Sequence, residues 1–158
     1  MTCLKKIIAG CQHPDRTTKN QYHRTADQVV SEITAKYCRM ADTDSINEEI
    51  VLFMRLFEQT IKSLKKEISK TKFSAFHHRY LATEYGPTSY ETIALLCGYY
   101  DRSKARKVVI EVCVKFLVLF DYYRSNEFLI KKIANGISLA TVPVDRNHMA
   151  EQFLPILV

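Results

Sequence analysis

Thirteen consecutive residues, Val108 to Phe120 (VVIEVCVKFLVLF), are interrupted by only two charges, Glu111 and Lys115. This run restricts the fold more than any other part of the chain. An amphipathic surface helix carries one apolar stripe and a polar opposite face, which this run lacks. A membrane-spanning helix needs about 20 apolar residues with few charges, and this run is shorter. It must therefore be enclosed by the rest of the protein. Its β-branched content would suit a strand, but no second strand-like segment is present to pair with it. A lone buried strand would leave its backbone N–H and C=O groups unsatisfied. Glu111 and Lys115 also stand four apart, a favourable separation on a helix. The expectation is a central helix wrapped by its neighbours.

Composition points the same way. Of 158 residues, only four are Gly and four Pro, too few for the tight turns of an all-β domain or for a Gly-rich phosphate loop. With 47% hydrophobic and 25% charged residues, the chain has the make-up of a folded globular domain. Its length predicts one domain. The five cysteines (Cys3, Cys11, Cys38, Cys97 and Cys113) show no paired spacing, and the start MTCLKKIIAGCQHPD is not a secretory signal. A reducing cytosolic or nuclear compartment is expected. The net charge of +6 is compatible with nucleic acid, an anionic membrane surface or an acidic partner.

Along the chain, residues 1–24 read as a tail or short helix followed by the turn-rich HPDRTTKN, and residues 25–158 as a single helical domain. A helix is predicted from TADQVVSEITAKYCRM, capped by Thr25 or Asp27, with Val29, Val30, Ile33 and Tyr37 on one side. Ser45 and Glu48 have capping-box spacing. Ile46, Ile50, Phe53, Phe57, Ile61, Leu64 and Ile68 then fall at steps of four, three, four, four, three and four, a single stripe on a long helix. KFSAFHHRYL predicts a short helix. EYGPTS is strong punctuation, with Ser89 a cap for YETIALLCGYY. Asp101 to Lys104 are expected to interrupt before the apolar run. A further helix is predicted over SNEFLIKKIANGISLA, and a last short helix or turn over DRNHMAEQFLPILV.

The reactive side chains form no catalytic pattern. His77 and His78 are adjacent and point apart on a helix, and His148 reads as a surface or packing residue. Cys3, Cys11 and His13 fall short of the four ligands of a tetrahedral site. No catalytic residue, metal or cofactor is expected, and the chain reads as non-enzymatic. Lys62, Lys65, Lys66, Lys70, Lys72 and Arg79, near Tyr80, form a basic cluster, which a solvated helix face explains; as a nucleic-acid contact it lacks any recognised reading motif. Nucleic acid binding is thus one alternative function. A scaffold that self-associates through the Ile46–Ile68 stripe as a coiled-coil seam is another.

The layout of YETIALLCGYYDRSKARKVVIEV, a short apolar helix, a polar hinge ending in Arg and then a buried helix, resembles the B-cell lymphoma-type (Bcl) regulators of apoptosis and their divergent viral mimics. Ser103, Lys104, Ala105 and Arg106 stand where that family has Asn-Trp-Gly-Arg, and the Arg is identical. Phe53, Phe57, Thr60 and Leu64 fall on the four anchor positions of the family's third homology helix, with Ile61-Lys62 in place of its Gly-Asp. His148 to Leu157 covers the second homology segment without its Trp residues, and the family's C-terminal membrane anchor is missing. The resemblance implies an all-α bundle of about seven to eight helices around a central hydrophobic helix. It also implies a viral inhibitor of apoptosis that sequesters the amphipathic helix of a pro-apoptotic protein in a surface groove. Arg106 would pair with the guest's Asp. Ile93, Leu96, Cys97 and Tyr100 would line one wall, Phe57, Leu64 and Ile68 the other, and Val109 the floor. Such a protein can form a homodimer, and would be cytoplasmic, reaching mitochondria through its partners.

Overall fold

The computed structural model describes residues 7–9, 16–44, 46–83 and 86–126. They form five α-helices: α1 (Arg16–Ala41), α2 (Glu48–Glu67), α3 (Lys70–Phe76), α4 (Tyr90–Cys97) and α5 (Arg102–Ser125). α3 runs on into a π-helical turn at His77–Leu81, and residues 7–9 form one more helical turn. No strand occurs among the described residues, so the all-α class holds. The helices expected after Ser125, and the His148–Leu157 segment with them, lie outside the described residues.

Four short polar side chains fix where the helices begin. Asn47 Oδ1 accepts from the Ile50 amide at 2.9 Å, and Ser69 Oγ from Lys72 at 3.3 Å. Ser89 Oγ accepts from Thr92 at 3.2 Å, and Asp101 Oδ1 from Lys104 at 2.9 Å. Each satisfies a backbone donor that the first helical turn leaves open. The Ser89 cap agrees with expectation. Asn47 is the cap of α2, so Ile46 stays outside the helix and exposed; Ser45 lies outside the described residues. Asp101 to Lys104 do not interrupt: Asp101 is the cap and α5 already runs from Arg102. α4 stops where Gly98 turns left-handed at φ 75°, a conformation that costs other residues a clash with their Cβ.

α1 begins well before Thr25. Thr25 Oγ1 donates back to the Gln21 carbonyl at 3.0 Å, inside the helix, and Asp27 is committed elsewhere, so neither is a cap. No Pro or Gly follows Pro14 to stop the helix, and its early turns persist as a polar stretch with Tyr22 packed on the core. Ile7 is also buried in that core. The stretch read as a tail or short helix followed by a turn-rich loop thus supplies both a core residue and the opening turns of α1.

α5 packs against α1, α2, α3 and α4. Its Ala105, Val108, Val109, Val112, Cys113, Phe116, Leu117 and Phe120 all enter one core cluster. The helix is not enclosed all round, however. Lys104, Lys107, Glu111, Lys115, Val118 and Tyr122, at steps of three, four, four, three and four, form an exposed stripe. Glu111 and Lys115 do not pair with each other. Glu111 reaches Lys72 of α3 at 2.8 Å, and Lys115 reaches Glu67 of α2 at 4.0 Å. The two charges inside the apolar run thus mark the side of α5 that meets water.

From α2, Phe57, Ile61 and Leu64 are buried, and Ile50, Phe53 and Ile68 half-buried. The predicted stripe faces the chain's own core. Its rings meet those of α5: Phe116 is within 6.0 Å of Phe57, 5.6 Å of Phe76 and 5.8 Å of Phe120, between ring centroids. Phe57 stacks on Tyr37 of α1 at 4.2 Å. Phe116 therefore joins α2, α3 and α5. Phe116→Ala is expected to cost about 3–5 kcal/mol of stability, read by chemical denaturation, whereas Val118→Ala on the exposed stripe should change it by less than about 0.5 kcal/mol.

Candidate functional site

A polar cluster sits where α1, the π-helical turn, α4 and α5 meet. The extra residue of the π turn lets the Ala82 amide donate to the His77 carbonyl, five residues back, at 2.9 Å. From this turn the consecutive residues Arg79 and Tyr80 both reach the carboxylate of Asp27 on α1. Arg79 Nη2 donates to Asp27 Oδ2 at 2.8 Å, and the Tyr80 hydroxyl to Asp27 Oδ1. Arg79 Nη1 donates to the Thr88 carbonyl, and its guanidinium lies over the Tyr90 ring, Cζ 4.0 Å from the centroid. The Tyr80 oxygen is also 3.1 Å from Cys113 Sγ.

Burial of Tyr80, with help from Cys113 and Asp27, holds its phenol well above the ordinary range, so it stays a donor. Arg79 is raised too: burial, the largest single effect, works against its charge, but the bond to Asp27 together with the electrostatic pull of Tyr90, Asp27 and Tyr80 outweighs it. Removing one partner of such a pair strands the other charge in a low-dielectric setting. Asp27→Ala is expected to cost about 3 kcal/mol, measured by denaturant titration; a loss below about 1 kcal/mol, the value of an exposed pair, would show that this cluster is not a structural link.

The residues implied as groove lining fall into three groups. Phe57, Leu64, Ile93 and Val109 are fully buried in one core cluster, so no ligand touches them without the helices around them moving. Ile68 is half-buried at the rim of a recess of about 140 Å³ that it shares with Glu67, Ser69, Lys72, Glu111, Val112 and Lys115. Cys97 is half-buried, its Sγ 4.0 Å from Ser74 Oγ. Leu96 and Tyr100 are exposed on the outer side of α4 and its following turn. The basic cluster also divides. Arg79 and Tyr80 belong to the Asp27 cluster, and Lys72 pairs with Glu111, whereas Lys62, Lys65, Lys66 and Lys70 remain exposed.

Arg106 is half-buried one turn into α5 and makes no hydrogen bond or ion pair among the described residues. It lies close enough to Tyr90 that its charge pulls the Tyr90 phenol down, as Arg79 does, against the larger upward effects of burial and then Asp27. The Tyr90 hydroxyl and Arg79 Nε are both buried without a hydrogen-bond partner among the described residues. One corner thus gathers, among the described residues, the Arg79 and Arg106 guanidinium groups, the Tyr80 and Tyr90 phenols and the Asp27 carboxylate, which is already bonded to Arg79 and Tyr80. Donors are in excess, and the arrangement lacks an acceptor. That Arg79 and Arg106 both lie near Tyr90 was not legible in the sequence, because it takes the π turn to bring residue 79 against residue 90.

Two further titratable groups are buried away from this corner. Burial raises the Glu58 carboxyl to about 7, with Arg55 pulling it partly back. Burial lowers His77 to about 4, helped by His78 and Lys65. The two act in opposite directions. Folded Glu58 holds its proton where the unfolded residue has lost it, so its contribution to stability falls as pH rises through the window ending near 7. Folded His77 stays neutral where the unfolded residue is protonated, so its contribution rises with pH from about 4 to the ordinary histidine value. Glu58→Gln should therefore leave a profile that climbs between about pH 4 and 6.5 and stays level above it. Melting temperatures across that range measure this, and a profile identical to that of the unaltered chain would refute the buried-carboxyl assignment.

Compared with protein-family models, with curated proteins and with solved structures, the chain matches none.

Proposed function

We propose that this chain is a helix-binding module that captures an amphipathic helix from a pro-apoptotic partner and so inhibits apoptosis. The observation that carries this reading is Arg106, a half-buried guanidinium with no acceptor among the described residues, beside a Tyr90 hydroxyl and an Arg79 Nε that also lack one. Arg106 is the residue to which the sequence resemblance assigns the guest's Asp. A carboxylate arriving there would supply the missing acceptor, and charge-assisted bonds of this kind fix the register of a bound helix. The order of helices supports the reading as well: an amphipathic α2, a short α3, and α4 leading through a capped hinge into a central apolar α5.

The guest's apolar anchors would reach Phe57 and Leu64 on one wall, Ile93 on the other and Val109 at the floor, all of them buried in the core cluster. Access to Ile93 requires movement of α4, a helix of eight residues that buries only Ile93 and Ala94. Part of the binding energy is therefore spent on the opening, and affinity falls accordingly. Calorimetric titration of the full chain against a panel of death-motif helical peptides tests the proposal. Binding to at least one peptide is expected, with Arg106→Ala weakening it by about 1–3 kcal/mol. Absence of binding to every peptide at high micromolar concentration would end it. Binding that collapses on adding salt, together with retardation of nucleic acid, would instead favour the exposed Lys62, Lys65, Lys66 and Lys70 face.

A further inference from the structure

The outer side of α4 carries apolar surface that neither the core nor the Arg106 corner uses. Leu95 is 85% exposed, Leu96 57%, and Tyr100, in the turn that follows, 97%. Large side chains this exposed, gathered within six residues of sequence, mark a contact surface rather than chance. The charges around them are not balanced. Asp101 is used as the cap of α5, and Glu91, one helical turn before Leu95, is paired with Arg102 at 3.8 Å. Lys104 and Lys107 are exposed and make no ion pair among the described residues. They stand with Gly98, Tyr99, Tyr100, Asp101 and Ser103 around an open recess of about 570 Å³ at the α4–α5 turn. The result is a protruding apolar tip with a cationic rim, on a chain of net charge +6.

The shape selects the partner. A groove that binds a peptide needs walls, and Leu95 and Tyr100 stand almost clear of any neighbour. A lipid interface needs none: leucines enter the acyl boundary, a tyrosine ring sits at headgroup depth, and lysines reach anionic headgroups. No helix among the described residues is long and apolar enough to cross a membrane, so such contact would be peripheral. We infer that the tip formed by Leu95, Leu96 and Tyr100, with Lys104 and Lys107 at its rim, is a docking surface for an anionic lipid membrane.

The test is co-sedimentation of the full chain with vesicles of phosphatidylcholine alone or mixed with phosphatidylserine. Binding is expected for the mixed vesicles and should weaken with added salt. The double variant Leu95→Glu, Tyr100→Glu should lower that binding about tenfold or more, and Lys104→Glu with Lys107→Glu should abolish the preference for phosphatidylserine. All four positions are exposed, so an unchanged circular dichroism spectrum and melting temperature accompany the expected result. Failure of the full chain to sediment with mixed vesicles would overturn the inference, as would binding that the Leu95, Tyr100 variant leaves intact. If that variant loses only helical-peptide binding and vesicles are ignored, the surface is a protein contact and the lipid assignment falls. Vesicle binding that survives Arg106→Ala keeps this surface distinct from the proposed helix site.

Discussion

Burial of one face of α5 is the constraint on which the other helices depend. From Ala105 to Phe120 that face is continuous and apolar, and α1, α2, α3 and α4 each lay their own apolar residues against it. Helices in proteins gain most of their stability from tertiary packing of an apolar face, and for these four that packing is on α5. Phe116 shows the arrangement at its centre, with rings from α2 and α3 and the next turn of α5 around it. The charged stripe of α5 is the complement of this packing. Glu111 and Lys115 sit on the side left open and reach across to α3 and α2.

A second layer of organisation is polar and depends on one carboxylate. Asp27 receives both Arg79 and Tyr80 and so ties α1 to the end of α3, while Arg79 continues over Tyr90 to α4. Both carboxylate oxygens of Asp27 already accept a hydrogen bond, while Arg79 Nε and the Tyr90 hydroxyl have no hydrogen-bond partner among the described residues. Arg106 lies beside that surplus. Under the proposed function, a guest carboxylate would supply the acceptor that Arg106 lacks among the described residues.

The fold was legible in the sequence where local signals agreed. The Ser89 cap and the α2 stripe follow from capping chemistry and periodicity, and the helical nature of Val108–Phe120 from the lack of a second strand to pair with it. The start of α1 was misplaced because RTTKNQYHR is polar and resembles loop, yet contains nothing that breaks a helix. Arg79 read as part of a basic surface because its neighbours in sequence are surface lysines and histidines; the π turn, which has no sequence signature, carries it inward instead. The groove residues could be named but their exposure could not, since the same apolar spacing serves a groove wall and a closed core. Phe57, Leu64, Ile93 and Val109 proved to be core.

Amide hydrogen exchange on the full chain tests the central claim directly, because amides in the helix around which the others pack open only with global unfolding. The slowest-exchanging set should fall within Val108–Phe120, slower than α4 at Tyr90–Cys97. Exchange across Val108–Phe120 as fast as that of α4 would contradict the account.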